Sequence, residues 1–485
     1  MSSPREKHDE YDEYENPLAT RYAGEAMRKT FSARHRIGAW RRLWIWLAEA
    51  ERELGLPVTT AQIEELRAAA DRIDFEAAER YEKRFRHDVM AHVHAFGDVA
   101  PSARPILHLG ATSCYVTDNA DAILVREALG LVEGALAETV AALAAFARRW
   151  RDLPCLAYTH FQPAQPTTVG KRACLWLLDL VDDLRDVRRA KEEVPFLGSK
   201  GTTGTQASFL ALFDGDAAKV EALDESVARR AGFAGPVPVS GQTYSRRADW
   251  KVMSVLGAVG ISVTRFANDV RLLSGLGELS EPFESEQIGS SAMAYKRNPM
   301  RSERMTALAR HLLALVPAAG QTAAAQWLER TLDDSAARRL FLPEAFLATD
   351  AILRLLANVA RGLVVNEAVV RRRLVQELPF MATEEILMRA TREGGDRQTL
   401  HERIRRHSLA AREAILAGLA DNDLLARLRD DPAFASVRGD LDAMTDPSRF
   451  TGLAPRQVDR FLAEHVEPAL APWKGKLGKE VRIEV

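Results

Sequence analysis

Three long runs of apolar residues, each stepping by three and four, constrain this chain more than any other feature. Val132, Leu136, Val140, Leu143, Ala147 and Trp150 form the first, and Leu177, Val181, Leu184 and Val187 the second. Val252, Val255, Val259, Val263, Phe266, Val270 and Leu273 form the third. That spacing keeps one helical face apolar, and the third run predicts a helix of roughly 25 residues. No period-two alternation of comparable length competes with it. Such helices in succession bury their stripes only against one another. The fold class is therefore all-α, with a long-helix bundle at its centre.

The bundle is expected over 112–364 of the 485 residues, flanked by smaller helical units at 1–111 and 365–485; the length suggests about three domains. In the first unit Trp40, Leu43, Trp44, Trp46, Leu47 and Ala50 read as a core-facing stripe. Leu56-Pro57-Val58-Thr59 ends that helix, and a later helix carries Arg86 through His94. In the last unit Gly394-Gly395-Asp396, Asp421-Asn422-Asp423, Asp446-Pro447-Ser448 and Pro472 separate short helical pieces. Met1 to Pro17 is charged, without the apolar core of a secretory signal, and reads as a floppy tail.

Composition narrows the function. A net charge of −2 offers no bulk basicity for nucleic acid. No run of 18 apolar residues suggests a membrane span. The three cysteines, Cys114, Cys155 and Cys174, lack a C-x-x-C spacing, so neither a disulfide framework nor a zinc site is expected. A reducing compartment, the cytosol, fits. His87, His92 and His94 lie close together but without a second carboxylate or H-E-x-x-H pattern, and no metal or other cofactor is expected.

The polar residues with chemical potential gather at predicted helix ends. Gly289-Ser290-Ser291-Ala292-Met293-Ala294-Tyr295-Lys296-Arg297-Asn298-Pro299 reads as a flexible loop. Asn298-Pro299 reads as a helix start, which sets Lys296 beside N-terminal amides suited to an anion. Lys200 to Gln206 is a second expected flexible loop, without the ending of a P-loop. Thr112 and Ser113 follow Gly110-Ala111 and can donate to a carboxylate or phosphate; an ordinary turn before a helix would use them equally well. His160, in Thr159-His160-Phe161-Gln162-Pro163-Ala164-Gln165, is expected at a loop-to-helix junction with no apolar stripe to bury it. An imidazole there is well matched to proton transfer. The arginines of Gln326 to Arg339 suit phosphate or carboxylate, although the acidic residues among them make internal ion pairing an equal possibility.

Ser290-Ser291-Ala292-Met293-Ala294-Tyr295-Lys296-Arg297-Asn298 resembles the Ser-Ser-x-Met-Pro-x-Lys-x-Asn segment of the fumarase/aspartase superfamily, with Ala294 where the pattern has proline. The wider run Gln287 to Arg304, Arg86 to His94, His108 to Asn119, Thr159 to Gln165 and Gln326 to Arg339 are similar to the adenylosuccinate lyase family, of the kind found in animals. The similarity extends from about Pro17 almost to the C-terminus. It implies a β-elimination that releases fumarate from succinylated purine ribotides. It implies His160 as the proton donor to the leaving nitrogen, Glu303 as its partner, Ser290 as the base and Lys296 as the stabiliser of developing charge. It further implies substrate contacts from Arg21, Tyr22, Arg86, His87, Asp88, Thr112, Ser113, Gln242, Asn298, Arg304, Arg330, Ser335 and Arg339. A homotetramer with composite sites is implied as well. Two other readings stand beside this one. The first is a sister lyase acting on argininosuccinate, fumarate or aspartate. The second is a silent helical assembly protein, to which the combination of His160, Ser290, Lys296 and Glu303 would be of no use.

Overall fold

Five long helices carry the core of the protein: α1 (Ser113–Arg149), α2 (Val169–Glu192), α3 (Arg247–Gly275), α4 (Met300–Ala324) and α5 (Asp333–Gly362). The computed structural model describes residues 13–418 and 421–478. Most of the expected tail, residues 1–12, lies outside the described residues. Its end is tied down: Asn16 donates to Glu344 on α5 (3.2 Å).

The stripes read from the sequence face the core. Val132, Leu136, Val140, Leu143 and Ala147 of α1 are buried, as are Leu177, Val181, Leu184 and Val187 of α2. The third run forms α3, of 29 residues. Each fully buried leucine or valine contributes about 1.5–3 kcal/mol. By length and composition α1 could also cross a membrane, but its apolar side chains pack into the bundle. Neighbouring helices run in opposite directions. Trp250, early in α3, lies against Gly320, late in α4. Arg301, at the start of α4, donates to Asn358 near the end of α5 (2.8 Å). Trp176, early in α2, donates to Asp269 near the end of α3 (2.7 Å).

Two short ribbons are added to the helical class. Strand β1 (Pro154–Thr159) pairs antiparallel with β2 (Gln162–Thr168) between α1 and α2. Strand β3 (Leu279–Ser280) pairs with β4 (Val364–Val365). Pro163 and Pro166 lie within β2. A two-stranded ribbon leaves free edges on which a missing N–H is tolerated. Thr168 then caps α2 by accepting from the Lys171 N–H. A separate apolar core, from Ala382 to Met444, serves the C-terminal helices, whereas Val458, Leu462 and Val466 return to the main core.

The helix Ala33–Glu53 buries Trp40, Leu43, Trp44 and Leu47 beside the bundle. It also buries Glu51 completely, with both carboxylate oxygens unpartnered. Burial pushes this carboxyl from 4.5 up to about 9. The folded protein therefore holds a proton that the unfolded chain releases, and stability falls as pH rises between those values. Glu51→Gln is expected to gain on the parent by about 1.4 kcal/mol per pH unit in that window. Denaturant midpoints at about pH 5.5 and about pH 8 check this; a gain equal at both values would exclude Glu51 as the source.

Candidate active site

Four helices begin around one cleft of about 470 Å³. They are the helix Asp88–Val99 (through His87 and Asp88), α1 (Ser113, Cys114), α3 (Arg246) and α5 (Asp334, Ser335). Converging N-termini favour an anion. Arg86, His87, Asp88, Ser113, Gln242, Arg330, Ser335 and Arg339 all line this cleft, although they span over 250 positions of the chain. Thr112, adjacent to Ser113, lies outside the lining.

His87 is not inside a helix but is the N-cap of Asp88–Val99. Its Nδ1 accepts from the Met90 N–H (3.3 Å), so the neutral ring carries its proton on Nε2, 3.2 Å from the Ser113 Oγ. Arg86 ends the preceding helix in a left-handed conformation (φ 55°). The two expected anion-binding arginines are paired internally: Arg339 with Asp88 (2.6 Å) and Arg330 with Asp334 (2.7 Å). Gln242 donates to the Thr202 carbonyl (3.1 Å). That contact joins the cleft to the loop after Lys200, which is less free than expected at its base. Lys200 is buried in an ion pair with Asp224 (2.5 Å), and Gln206 donates to Ser199 (3.0 Å).

The floor of the cleft is a buried charge network that sequence reasoning missed. Arg246 grips Asp118 with two nitrogens (2.8 and 3.0 Å) and Asp334 with its Nε (2.6 Å). Arg338 reaches Asp249 (2.7 Å) and Asp121 (3.0 Å). Burial opposes the charge on Arg246, but the charge and hydrogen bonds of Asp118 together with Tyr244 hold the guanidinium pKa above its ordinary value. Of the pair Arg338-Arg339, the first is therefore structural and the second is exposed to the cleft. Burial pushes the Cys114 thiol up to about 12, so it is not a nucleophile.

His92, His94 and His108, close to His87 in the sequence, are packing residues. Burial lowers His92 to about 4, with Trp40 and Phe75 edge-on to its ring. His108 is likewise lowered to about 4 by burial, then by His87, and accepts from the Trp44 N–H (2.9 Å). His94 packs against Tyr81 and Phe85. Among the described residues no group of three or more His, Cys, Asp or Glu could hold a metal.

His160, Ser290, Lys296 and Glu303 lie at the other end of the bundle. A helix the length of α3 spans about 44 Å at 1.5 Å per residue. His160 is at the tip of the β1–β2 hairpin rather than at a helix start. It and Phe161 form the two-residue turn with φ 53° and 57°. Positive φ is what such a turn requires, and it is costly without glycine. Ser290 is half-buried in its loop, and its Oγ accepts from the N–H groups of Met293 (3.1 Å) and Ala292 (3.4 Å). Lys296 and Glu303 are exposed, and no hydrogen bond joins His160 to Glu303 within the chain.

The helix start after the loop differs from the expectation. Asn298 does not cap α4; its side chain donates to Gly289 (2.9 Å), and α4 begins at Met300. The first amides of α4 are already occupied by the Glu281 carboxylate, which accepts from Arg301 N–H (3.0 Å) and Ser302 N–H (2.6 Å). A second pocket, of about 230 Å³, gathers Arg21, Tyr22 and Arg304 with Arg28 and Arg354. The Gly24 N–H beside it donates to Asp350 on α5 (2.6 Å).

Residues 24–313 match the lyase family model, and residues 379–461 match the model for the adenylosuccinate lyase C-terminus. The chain is 51% identical to adenylosuccinate lyase of Saccharomyces cerevisiae over 98% of its own length and all of the yeast protein. This chain belongs to the adenylosuccinate lyase family. It is 47% identical to the adenylosuccinate lyase of Schistosoma mansoni, again over 98% of its length. Its fold matches the 3-carboxy-cis,cis-muconate lactonizing enzyme of Pseudomonas putida with a TM-score of 0.80 at 25% identity, covering 93% of this chain and 99% of that one. As a member of the adenylosuccinate lyase family the protein is a lyase.

Proposed function

We propose that the protein splits adenylosuccinate into AMP and fumarate, and succinylaminoimidazole carboxamide ribotide into the carboxamide ribotide and fumarate. The observation that carries this reading is the cleft, where arginine forks, His87, Ser113 and four helix N-termini face one cavity of nucleotide size. Arg330 and Arg339, with Arg21, would hold the ribotide phosphate, exchanging their internal carboxylates for a stronger dianion. Ser335, Gln242, Arg86, Asp88, Tyr22 and Arg304 would complete the binding surface.

In the elimination, Ser290 takes the proton from the succinyl carbon beside a carboxylate. The electron pair left behind passes through that carboxylate as a dianionic, aci-carboxylate-like intermediate. It then expels the nitrogen, which takes its proton from His160. Two N–H groups on the Ser290 Oγ favour its ionised form, and Ser291 has no such pair. Lys296, Asn298, Thr112 and Ser113 would stabilise the developing charge. Glu303 would hold the His160 ring in one tautomer. One proton and one electron pair are exchanged between carbon and nitrogen, so the chemistry calls for no redox cofactor.

The two ends of one bundle are too far apart to share a substrate, which supports a homotetramer whose sites combine segments from different subunits. Leu175 and Leu178 on α2 and Ile261 and Leu272 on α3 are exposed, an apolar surface suited to that assembly. Three free cysteines, two of them buried, support a cytosolic location.

Purified protein mixed with adenylosuccinate, followed by ultraviolet absorbance and by chromatography, should yield AMP and fumarate in equal amounts. Absence of fumarate from both ribotides would sink the reading and direct a substrate panel to the sister lyases. Loop mobility gives a separate expectation. Lys296 N–H bonds Met293 O (2.9 Å), making Ala294 the second residue of a turn, where proline is favoured. Ala294→Pro should hold KM steady and keep or raise kcat, within about threefold, by restricting the open loop. A large fall in kcat would count against loop closure.

A further inference from the structure

We propose that Glu278 is a positioning residue for catalysis, which grips Tyr158 and through it sets the hairpin that presents His160. The inference rests on the reading of His160 as the acid.

Glu278 is itself held rigidly. Gly277, at φ 75°, ends α3 in a Schellman turn, with Glu278 N–H bonded to Leu273 (2.9 Å) and Gly277 N–H to Ser274 (3.0 Å). The Glu278 carbonyl accepts from Asn366 N–H (2.9 Å). Its side chain is 1% exposed. Glu278 Oε1 accepts from the Tyr158 hydroxyl (2.7 Å) and from Arg373 Nε (3.2 Å), the latter on α6 (Glu367–Met381). Oε2 is 3.6 Å from Arg172 on α2. One carboxylate thus joins the hairpin, two helices and the segment that leads into the Ser290 loop.

The hairpin needs such an anchor. Both residues of its tip adopt left-handed backbone without glycine, a conformation that persists only where surroundings enforce it. Tyr158 lies two residues before His160, and its ring packs against Phe161 at 5.7 Å. Pro166, the strand partner of Leu156, has no N–H to give, and the Leu156 carbonyl accepts from Arg172 instead. Arg172 and Glu278 therefore fasten β1 at alternate residues, immediately below the imidazole. Burial, then the Glu278 hydrogen bond, pushes the Tyr158 hydroxyl up to about 12, so it stays a donor throughout the assay range.

A positioning role makes demands that a purely structural one does not. A misplacement near 1 Å costs about 100-fold in rate. Glu278→Ala should lower kcat about 10- to 100-fold. KM should stay within about twofold, because the displaced His160 acts only as the nitrogen departs. Glu278→Gln keeps an acceptor for Tyr158 and should recover kcat to within about threefold of the parent. Tyr158→Phe removes one oxygen and should lower kcat about 3- to 10-fold, which keeps the test open should Glu278→Ala fail to fold. In a His160→Ala background, Glu278→Ala should have no further effect on kcat.

A further loss in that background, or a rise in KM with kcat intact, would overturn the inference. So would unchanged kcat in folded Tyr158→Phe. Full activity in His160→Ala alone would overturn the acid assignment beneath it, and the inference with it.

Discussion

His160→Ala is expected to lower kcat about 100- to 10,000-fold, with KM little changed, because the missing group acts only when the nitrogen departs. Ser290→Ala should cost as much, for a different step. The two variants separate in isotope exchange at the succinyl carbon. Without His160, Ser290 can still remove and return the proton, so solvent deuterium should enter the substrate while no fumarate forms. Without Ser290, neither exchange nor cleavage should occur. The reverse pattern, exchange kept in Ser290→Ala and lost in His160→Ala, would interchange the two roles. The geometry of the isolated chain already favours the assignment made here. Ser290 receives two backbone N–H groups, the arrangement that stabilises an oxyanion, whereas His160 is exposed at a hairpin tip where it can be presented to another subunit.

What was legible in the sequence was what repeats locally. Val132 to Ala147 and Val252 to Leu273 announced their helices because each step of three or four is visible without knowing the partner. The hairpin that carries His160 was not legible. Pro163 and Pro166 argue against a strand, and the segment lacks an alternating apolar pattern because its anchors, Glu278 and Arg172, are polar and distant. The helix start at Asn298-Pro299 was read one residue early and with the wrong partner. The local pattern offers Asn298 as the cap, whereas Glu281, about 20 residues upstream, takes the amides. Long-range pairs such as Arg246 with Asp118 leave no local trace at all, and Arg338 and Arg339 are indistinguishable until one is seen to be buried. The units 1–111, 112–364 and 365–485 remain our proposal for the domain division. The main core crosses both boundaries, since Trp44 on one side and Val458 on the other join the cluster of the bundle, while residues 382–444 keep a core of their own. The boundaries mark changes in helix length more than breaks in packing.

Two inactive variants are expected to regain activity when their subunits mix. His160→Ala loses the acid at one end of the bundle, and a double variant, Arg330→Ala with Arg339→Ala, loses the anion forks at the other. If both ends belonged to one site within a subunit, no mixture could contain an intact site. If each site takes its hairpin from one subunit and its cleft from another, random one-to-one mixing leaves about a quarter of the sites intact. Co-expression with two affinity tags isolates the hybrids, and their kcat per site should approach about a quarter of the parent value, with parental KM. Mixing two different cleft variants supplies the control and should restore nothing. Hybrids of verified composition that stay inactive would place hairpin and cleft in the same subunit. Such a result would demand a bend or closure large enough to bring together ends that α3 holds about 44 Å apart. The fully buried stripe of that continuous helix, Val259, Val263, Phe266 and Val270, would have to leave the core for the bundle to fold on itself. Our proposal of sites shared between subunits needs no such bend, and the mixed hybrids test it directly.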